Sequence, residues 1–161
     1  MERAVKRRLL TILAAVALMA GLVAAAAYHA QAATVGATGA ITGYEGLCLD
    51  DRSASTANFN PIQVYTCNGT NAQQWTVGSG NTLQVLGSCL DVDAAGTANG
   101  TTVDLYTCNG TGAQVWEPQS NGELLNPESG KCLDDTGYGG SGTQVQIWTC
   151  ADTSNQQWNV P

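Results

Sequence analysis

Positive charge is scarce in this chain once its N-terminus is set aside. Four of the six basic residues fall within residues 1–8, and only Arg52 and Lys131 occur later. The 129 residues after position 32 also carry twelve acidic side chains, so their formal net charge is −10. Nucleic acids and anionic membranes bind proteins through clustered lysine and arginine side chains. Neither of them is an expected partner of this chain.

Metal ligands are also scarce. The only histidine, His29, lies near the N-terminus, and no Cys-x-x-Cys pair occurs, so a zinc site is not expected. A calcium loop is suggested by Asp91 and Asp93. However, Ala95 stands at a ligand position of such a loop and Thr102 stands where its closing glutamate should be. We therefore predict no metal and no cofactor.

One long apolar run is present, at residues 9–27, directly after the basic residues. Ala30 and Ala32 then provide the small-x-small pattern of a signal-peptidase site. The sequence thus predicts a signal peptide over 1–32, a flexible lead-in over 33–40 and a folded domain over 41–161. An uncleaved membrane anchor is the alternative, because the run of 19 residues approaches the length of a membrane span. Either arrangement places the folded domain outside the cytoplasm.

The folded domain repeats one motif three times. Each copy contains Gly-x-Cys-Leu-Asp, a polar loop, an aromatic residue two positions before a second cysteine, and Gln-x-Trp. The copies lie within repeats of about 41–79, 80–121 and 122–161. Because three repeats fill the domain, no room remains for a separate catalytic domain. A β-propeller has a similar period but needs at least about four blades, so three copies favour a barrel with threefold symmetry.

All six cysteines lie in the repeats, two in each copy. An even number of cysteines at regular spacing in an exported chain indicates disulfide bonds. Fifteen pairings are conceivable for six cysteines. Repetition favours pairing within each copy: Cys48 with Cys67, Cys89 with Cys108, and Cys132 with Cys150.

Short runs of alternating apolar residues predict an all-β fold. In the first copy Ile62 and Val64 alternate with Gln63 and Tyr65, and the other copies repeat this pattern. Such period-two runs bounded by turn residues are typical of strands. No ten-residue stretch of the domain has helical periodicity with good helix formers.

Each copy groups an aspartate with an aromatic residue, because residues two apart on a strand point the same way and the predicted disulfide joins two strands. The groups are Asp50 with Gln63 and Tyr65, Asp91 with Asp104 and Tyr106, and Asp134 with Gln146 and Trp148. A carboxylate accepts hydrogen bonds from hydroxyls, and an aromatic ring covers an apolar C–H face. A sugar offers both surfaces. Ordinary strand and turn preferences would also explain one such group, but they explain three recurrences less well.

These motifs resemble the ricin-B-type β-trefoil lectins and the related xylan- and galactoside-binding modules of secreted bacterial glycosidases. The resemblance covers residues 41–161 and rests on Cys-Leu-Asp, aromatic-x-Cys and Gln-x-Trp in all three copies. It implies a β-trefoil of twelve short strands with one shallow sugar pocket in each copy. It also implies that Trp75, Trp116 and Trp158 pack in the core.

The resemblance also assigns the residues that contact sugar. They are Asp50, Gln63, Tyr65, Asn68 and Gln73 in the first copy, Asp91, Tyr106, Asn109 and Gln114 in the second, and Asp134, Gln146, Trp148, Asn155 and Gln156 in the third. The chain departs from the family pattern at Ala72, Ala113 and Ala151, each in place of an asparagine. Asp104 replaces the strand glutamine of the second copy. We therefore rank the third pocket as the most competent, then the first, then the second.

Two other functions are consistent with parts of the pattern. A glycosidase could use an acid pair such as Asp50 and Asp51, but adjacent strand residues point to opposite faces and cannot flank one bond. A protease inhibitor, another function of trefoils, would need one protruding loop, and three similar loops single out none. The sequence therefore predicts a secreted, monomeric, non-enzymatic lectin that binds polysaccharide or galactose- and xylose-type sugars through several pockets.

Overall fold

The computed structural model of this protein describes residues 33–161. The predicted signal peptide, residues 1–32, lies outside the described residues. The described chain consists of β-strands joined by loops and single 3-10 turns, as the alternating pattern predicts. Within this part of the chain, no helix has the length and apolar character needed to cross a membrane.

Eleven short strands follow one another along the chain. They are β1 (Thr38–Gly39), β2 (Cys48–Asp51), β3 (Asn60–Tyr65), β4 (Trp75–Val77), β5 (Leu83–Val85), β6 (Ser88–Val92), β7 (Val103–Tyr106), β8 (Glu117–Pro118), β9 (Leu124–Asn126), β10 (Lys131–Asp135) and β11 (Thr143–Trp148). The 3-10 turns are Tyr44–Gly46, Arg52–Ala54, Asn71–Gln73, Ser79–Asn81, Asp93–Ala95, Gly112–Gln114 and Ser154–Gln156. We call the three repeats the first, second and third lobes.

Three equivalent antiparallel hairpins form the body of the molecule, one in each lobe. They are β2–β3, β6–β7 and β10–β11. Strand β3 also pairs with both β7 and β11, so the hairpins meet one another. One backbone contact repeats between successive lobes: the N–H groups of Phe59, Gly100 and Gly142 donate to the carbonyl oxygens of Leu105, Ile147 and Val64 at 2.8, 2.9 and 2.7 Å. This threefold arrangement is that of a β-trefoil.

The twelfth strand that the resemblance implies is reduced to isolated bridges. Gln157 bridges to Glu123, and Asn159 bridges to Thr42 near the beginning of the described chain. The C-terminal segment thus pairs with both the first and the third lobe, but its bridges are isolated and do not form a strand. The described residues therefore contain eleven strands where twelve are implied.

The segment 33–40 contains more regular structure than the sequence predicts. Its residues Thr38–Gly39 form β1, which pairs with β4, and the Gly36 N–H donates to the Val77 carbonyl at 2.8 Å. Part of the predicted flexible lead-in is therefore paired to the sheet.

The three tryptophans of Gln-x-Trp pack in the core, as the resemblance implies. Trp75, Trp116 and Trp158 are buried, and each indole N–H donates to a backbone carbonyl of its own lobe: Leu49 at 2.8 Å, Leu90 at 3.0 Å and Leu133 at 3.0 Å. A buried donor left without an acceptor would cost about 1–3 kcal/mol. Since each accepting leucine directly precedes the aspartate of Cys-Leu-Asp, the indoles fix the strand segment that carries the candidate site.

Candidate functional site

Each lobe contains a disulfide beside its candidate pocket. The pairs are Cys48–Cys67, Cys89–Cys108 and Cys132–Cys150, the within-copy pairing that repetition favours. Across each hairpin, the first cysteine lies opposite the aromatic residue: Cys48 opposite Tyr65, Cys89 opposite Tyr106 and Cys132 opposite Trp148. The disulfide therefore joins the strand of the aspartate to the loop that follows the aromatic residue.

In the first lobe, Asp50 lies opposite Gln63 across the β2–β3 hairpin. The Gln63 Nε2 donates to the Asp50 Oδ1 at 2.8 Å, and the Gln63 Oε1 accepts from the Arg52 Nε at 2.9 Å. These two hydrogen bonds fix the orientation of the Gln63 amide. The Tyr65 ring is 40% exposed at the mouth of the pocket. The lining residues of this cavity of about 530 Å³ include Asp50, Gln63, Tyr65, Asn68 and Arg52.

Gln73, also predicted in the first site, acts from behind the pocket. Its side chain is buried and does not line the cavity. Its Nε2 donates to the Asp50 Oδ2 at 2.9 Å and to the Thr66 carbonyl at 3.1 Å, and its Oε1 accepts from the Asn68 N–H at 2.9 Å. Gln73 therefore orients the carboxylate and holds the loop after Cys67. In the second lobe, Gln114 makes the equivalent bonds to Asp91, Thr107 and Asn109.

In the third lobe, three amides hold the Asp134 carboxylate. The Gln146 Nε2 donates to Oδ1 at 2.9 Å, whereas the Asn155 Nδ2 and Gln156 Nε2 donate to Oδ2 at 2.8 and 2.9 Å. Trp148 is 43% exposed and faces the same cavity of about 350 Å³. All five residues predicted for this site line that cavity. The third pocket thus has the most completely fixed carboxylate of the three.

Tyr138 lines the third pocket and was not among the predicted residues. It is 48% exposed, and its ring meets that of Tyr44 edge-on, with the centroids 5.2 Å apart. Tyr138 lies in a Gly-rich loop. The equivalent loop positions are Ala54 in the first pocket and Ala95 in the second. In the sequence, the one signal of this second ring is the presence of an aromatic residue at a loop position that is alanine in the other two copies.

The second lobe departs from the other two at the position of the strand glutamine. Asp104 lies opposite Asp91, is 4% exposed, and its Oδ1 has no hydrogen-bond partner among the described residues. Burial, together with the nearby carboxylates of Asp91 and Asp93, raises the pKa of Asp104 to about 7. Burial also raises the pKa of Asp91, although the hydrogen bond from Gln114 opposes this effect. Near neutral pH the Asp104 carboxyl, which faces Asp91 across the hairpin, is therefore partly protonated.

The second pocket also differs from the others in its lining. Its cavity of about 370 Å³ is lined by Asp91, Tyr106 and Asn109 from the predicted set, and by Phe59 and Glu128, which were not predicted. Phe59 belongs to the first lobe and Glu128 to the third. Their contribution depends on contacts between lobes, which spacing within one repeat does not reveal.

The second acid of each Asp-Asp pair faces the interior. Asp51 and Asp135 are fully buried and line none of the three pockets. Asn60 donates to the Asp51 Oδ1, and the Gly139 N–H donates to the Asp135 Oδ1 at 3.2 Å. Burial raises the pKa of each carboxyl to about 6. The two acids of a pair therefore do not converge on one bond, as the strand argument predicts.

One group of candidate metal ligands occurs among residues 33–161: Glu123, Cys132 and Cys150. Because both cysteines are used in a disulfide, they are not available as thiolate ligands. The Glu123 carboxylate instead accepts the Ala151 and Asp152 N–H groups at 3.1 and 2.7 Å. This group is therefore a loop contact.

The sequence profile of the ricin-type β-trefoil lectin domain matches residues 37–158. The chain belongs to this lectin domain family. Glucan endo-1,3-beta-glucosidase of Cellulosimicrobium cellulans is 60% identical to it over 101 residues, which make up 62% of this chain and 18% of that protein. Serine protease 1 of Rarobacter faecitabidus is 41% identical over 121 residues, 75% of this chain and 23% of that protein. This lectin-domain chain thus spans about a fifth of the length of these relatives.

Solved structures similar to this lectin domain include plant lectins. The agglutinin of Abrus precatorius superposes with a TM-score of 0.72 at 30% identity, covering 77% of this chain and 48% of the agglutinin chain. A non-toxic type II ribosome-inactivating-protein homologue from Momordica charantia, in complex with α-methyl-D-galactoside, superposes with a TM-score of 0.71 at 28% identity. That match covers 79% of this chain and 48% of the other. These similarities confirm the predicted β-trefoil lectin fold, and the family is one of carbohydrate-binding domains.

Proposed function

We propose that this protein is an exported, non-catalytic lectin that binds polysaccharide through three shallow pockets, one in each lobe. The observation that carries the proposal is the pair of a hydrogen-bonded carboxylate and an aromatic ring that line one cavity in each lobe. In the third lobe this pair is Asp134 and Trp148. The proposed sugar-contacting residues are the members of the predicted set that line the three cavities.

Recognition of a sugar would use both members of the pair. The three amides on Asp134 leave about one of its four acceptor positions free, and the Gln146 Oε1 offers another acceptor. Two neighbouring sugar hydroxyls can donate to these acceptors, while the Trp148 ring covers the apolar face of the sugar. Because the carboxylate is already oriented, binding loses little side-chain entropy there.

The first pocket would work in the same way with one difference. Gln63 and Gln73 each donate once to Asp50, so about two acceptor positions of the carboxylate remain free. Arg52 lines the cavity and can donate to a sugar oxygen. We expect the first pocket to accept a different arrangement of hydroxyls from the third.

Export and lack of catalysis are supported by separate observations. The predicted signal peptide and the three disulfides fit an oxidising compartment outside the cytoplasm. In the first and third lobes the neighbouring acids, Asp51 and Asp135, point away from the pockets, so neither pocket has a second carboxylate for hydrolysis. We expect the protein to act as a monomer.

A polysaccharide ligand is favoured over a free monosaccharide. Each pocket covers one or two sugar units and buries little area, so a single site should bind weakly. Three outward pockets on one polymer would multiply modest affinities through effective concentration. The first candidate polymers are β-1,3-glucan, because a glucan endo-1,3-beta-glucosidase is 60% identical, and galactose-containing polymers, because the similar Momordica charantia protein binds α-methyl-D-galactoside.

Affinity electrophoresis of the protein in gels containing β-1,3-glucan, galactan or xylan tests the proposal. We expect retardation in at least one of these gels, with no release of reducing ends from the polymer. Reducing-end release would favour a glycosidase, and loss of protease activity in a parallel assay would favour an inhibitor. Unretarded migration with all polymers, by protein whose disulfides are intact, would contradict the proposal.

A further inference from the structure

Phe59 occupies a backbone position that glycine holds in the other two lobes. Its equivalents, by the repeated contact between lobes, are Gly100 and Gly142. All three have positive φ angles, +64° for Phe59, +87° for Gly100 and +98° for Gly142. This left-handed region is unfavourable for a bulky side chain. A phenylalanine in this conformation strains the backbone locally, and strained residues of this kind cluster at functional sites.

The Phe59 side chain extends the second pocket. Its ring meets that of Tyr106 edge-on, with the centroids 5.1 Å apart, and both rings line the cavity. At the equivalent position beside the third pocket, a Cβ on Gly100 would lie 3.8 Å from the Trp148 ring, whereas a Cβ on Gly142 would meet no atom within 4 Å. The second pocket therefore has two adjoining rings where glycine leaves the corresponding side of the other pockets open.

The charge around the second pocket is also different. The residue two positions after the aspartate of Cys-Leu-Asp is Arg52 in the first lobe, Thr136 in the third and Asp93 in the second. Asp91 and Glu128 line the second cavity, and neither Arg52 nor Lys131 does. Behind Asp91 lies Asp104, whose buried Oδ1 has no partner among the described residues. It occupies the position from which Gln63 and Gln146 donate to the aspartates of the other lobes.

We propose that the second lobe binds a saccharide unit bearing a free ammonium group, such as a glucosamine unit of a deacetylated polysaccharide. This inference rests on the proposed function, because it takes the second pocket to be a saccharide site. It assigns Phe59, Asp104 and Glu128 as the residues that determine specificity.

An ammonium group supplies the positive charge that the lining of this pocket lacks. Its N–H groups donate to the carboxylates of Asp91 and Glu128, and its positive charge favours the ionised form of Asp104. The mutual repulsion of the acids, which a neutral sugar leaves in place, is relieved by the cation. The two rings add cation–π attraction and cover the C–H face of the sugar.

A single metal ion would fit these acids less well. Among residues 33–161, the acids of the second pocket do not bring three ligand oxygens within 4.8 Å of one another. A saccharide carrying an ammonium can contact acids that are further apart, because hydroxyls and the ammonium lie on different carbons. A metal ion is therefore the weaker alternative to a cationic sugar at this pocket.

Calorimetric titration of the full chain with a glucosamine tetramer and with its N-acetylated counterpart, at neutral pH, tests this inference. We expect the glucosamine tetramer to bind about tenfold more tightly, a difference of about 1.4 kcal/mol. The preference should shrink as salt is added, because screening weakens attraction between charges.

Asp104→Gln restores the amide of the other lobes, and Phe59→Gly restores their glycine. Each variant should reduce the preference by at least threefold while the unfolding midpoint stays the same or rises.

Glu117→Gln is the matched control, since it removes one negative charge outside the pocket and should leave the preference unchanged. A merely structural role for Asp104 would lower the affinity for both tetramers alike and would overturn the assignment. Retardation by a neutral polysaccharide without preference for the glucosamine tetramer would overturn this inference alone. Loss of both kinds of binding would overturn the proposed function as well.

Discussion

Asp134 and Asp135 are neighbours in β10, yet the fold gives their carboxylates opposite surroundings. Asp134 is held by three side-chain amides at the floor of a pocket. Asp135 points inward, is fully buried, and accepts a backbone N–H of its own loop. A strand that places successive side chains on opposite faces explains the difference. At the residue scale, the two acids should therefore respond differently to substitution.

Asp134→Ala or Trp148→Ala should weaken polysaccharide retention at least tenfold through the third pocket, about 1.4 kcal/mol or more. Asp134→Ala removes the acceptor for sugar hydroxyls, and Trp148→Ala removes the ring beneath the sugar. Asp135→Asn is the matched control, because it keeps an Oδ1 acceptor for Gly139 and lies outside the cavity. Affinity electrophoresis of the three variants makes the comparison. Equal losses in all three, with folding intact, would contradict the assignment of faces.

The buried acids also predict how stability depends on pH. Burial raises the pKa of Asp51 and of Asp135 to about 6, above their usual value of 3.8 in an unfolded chain. The folded state therefore holds protons that the unfolded state releases between about pH 4 and pH 6. The contribution of these groups to the free energy of unfolding is present below that range and is lost as the pH rises through it.

Asp135→Asn should remove this contribution at one site. We expect the variant to gain stability relative to the unchanged protein as the pH rises from about 4 to about 7. Urea unfolding of both proteins across this range measures the difference directly. A difference in unfolding free energy that stays constant with pH would mean that the Asp135 carboxyl has the same pKa in the folded and unfolded states.

At the scale of elements, the main part of each pocket is one hairpin and the loop that a disulfide ties to it. The third disulfide joins Cys132 to Cys150, which are 18 positions apart in the chain. Replacing both cysteines by serine should destabilise the protein by about 3 kcal/mol. Binding in the third pocket should weaken further than in the first, because the loop with Asn155 loses its tether to β10. Unchanged third-pocket affinity in the folded variant would exclude the disulfide from the geometry of the site.

Much of each hairpin was predictable from the sequence, because its determinants are local. Alternation around Ile62 and Val64 predicts a strand, and the strand period predicts that Asp50, Gln63 and Tyr65 share a face. The recurring Gln-x-Trp motif also predicts that Gln73 belongs to the site, although only the structure shows that it orients Asp50 from behind the pocket. Such features depend on residues within one repeat, so they can be recognised from the repeated motif.

The features that could not be predicted come from contacts between lobes or from unusual backbone. Phe59 enters the second pocket from the first lobe, and Glu128 enters it from the third. Tyr138 reaches the third pocket from a loop residue with a φ of +57°, a conformation that its residue type disfavours. Apart from the aromatic side chains of Phe59 and Tyr138 themselves, nothing in the local pattern distinguishes these residues from solvent-exposed loop residues.

At the scale of the whole molecule, threefold symmetry gives three pockets of unlike composition. The first has Arg52, the second has one additional acid, Glu128, and the third has a second ring from Tyr138. A polymer containing several kinds of unit could therefore occupy more than one pocket at a time. Linked binding of this kind raises the overall affinity above that of any single pocket.

A double variant separates multivalent binding from single-site binding. Each single change, Asp50→Ala or Asp134→Ala, weakens affinity for a short oligosaccharide by some factor. The double variant should weaken affinity for a long polysaccharide by a factor about a hundred times larger. Biolayer interferometry with immobilised polymer and calorimetry with oligosaccharide provide the two values. Equal fold-losses for polymer and oligosaccharide would mean that the pockets act one at a time.

The measurement that tests the central claim most directly is nuclear magnetic resonance of the tryptophan indole N–H groups during titration with the retained oligosaccharide. The chain contains four tryptophans, of which Trp148 faces a pocket while Trp75, Trp116 and Trp158 are buried in the core. The account predicts a saturable shift of the Trp148 signal, with the other three nearly unchanged. A Trp148 signal that does not move while the oligosaccharide binds, or equal shifts of all four, would contradict it.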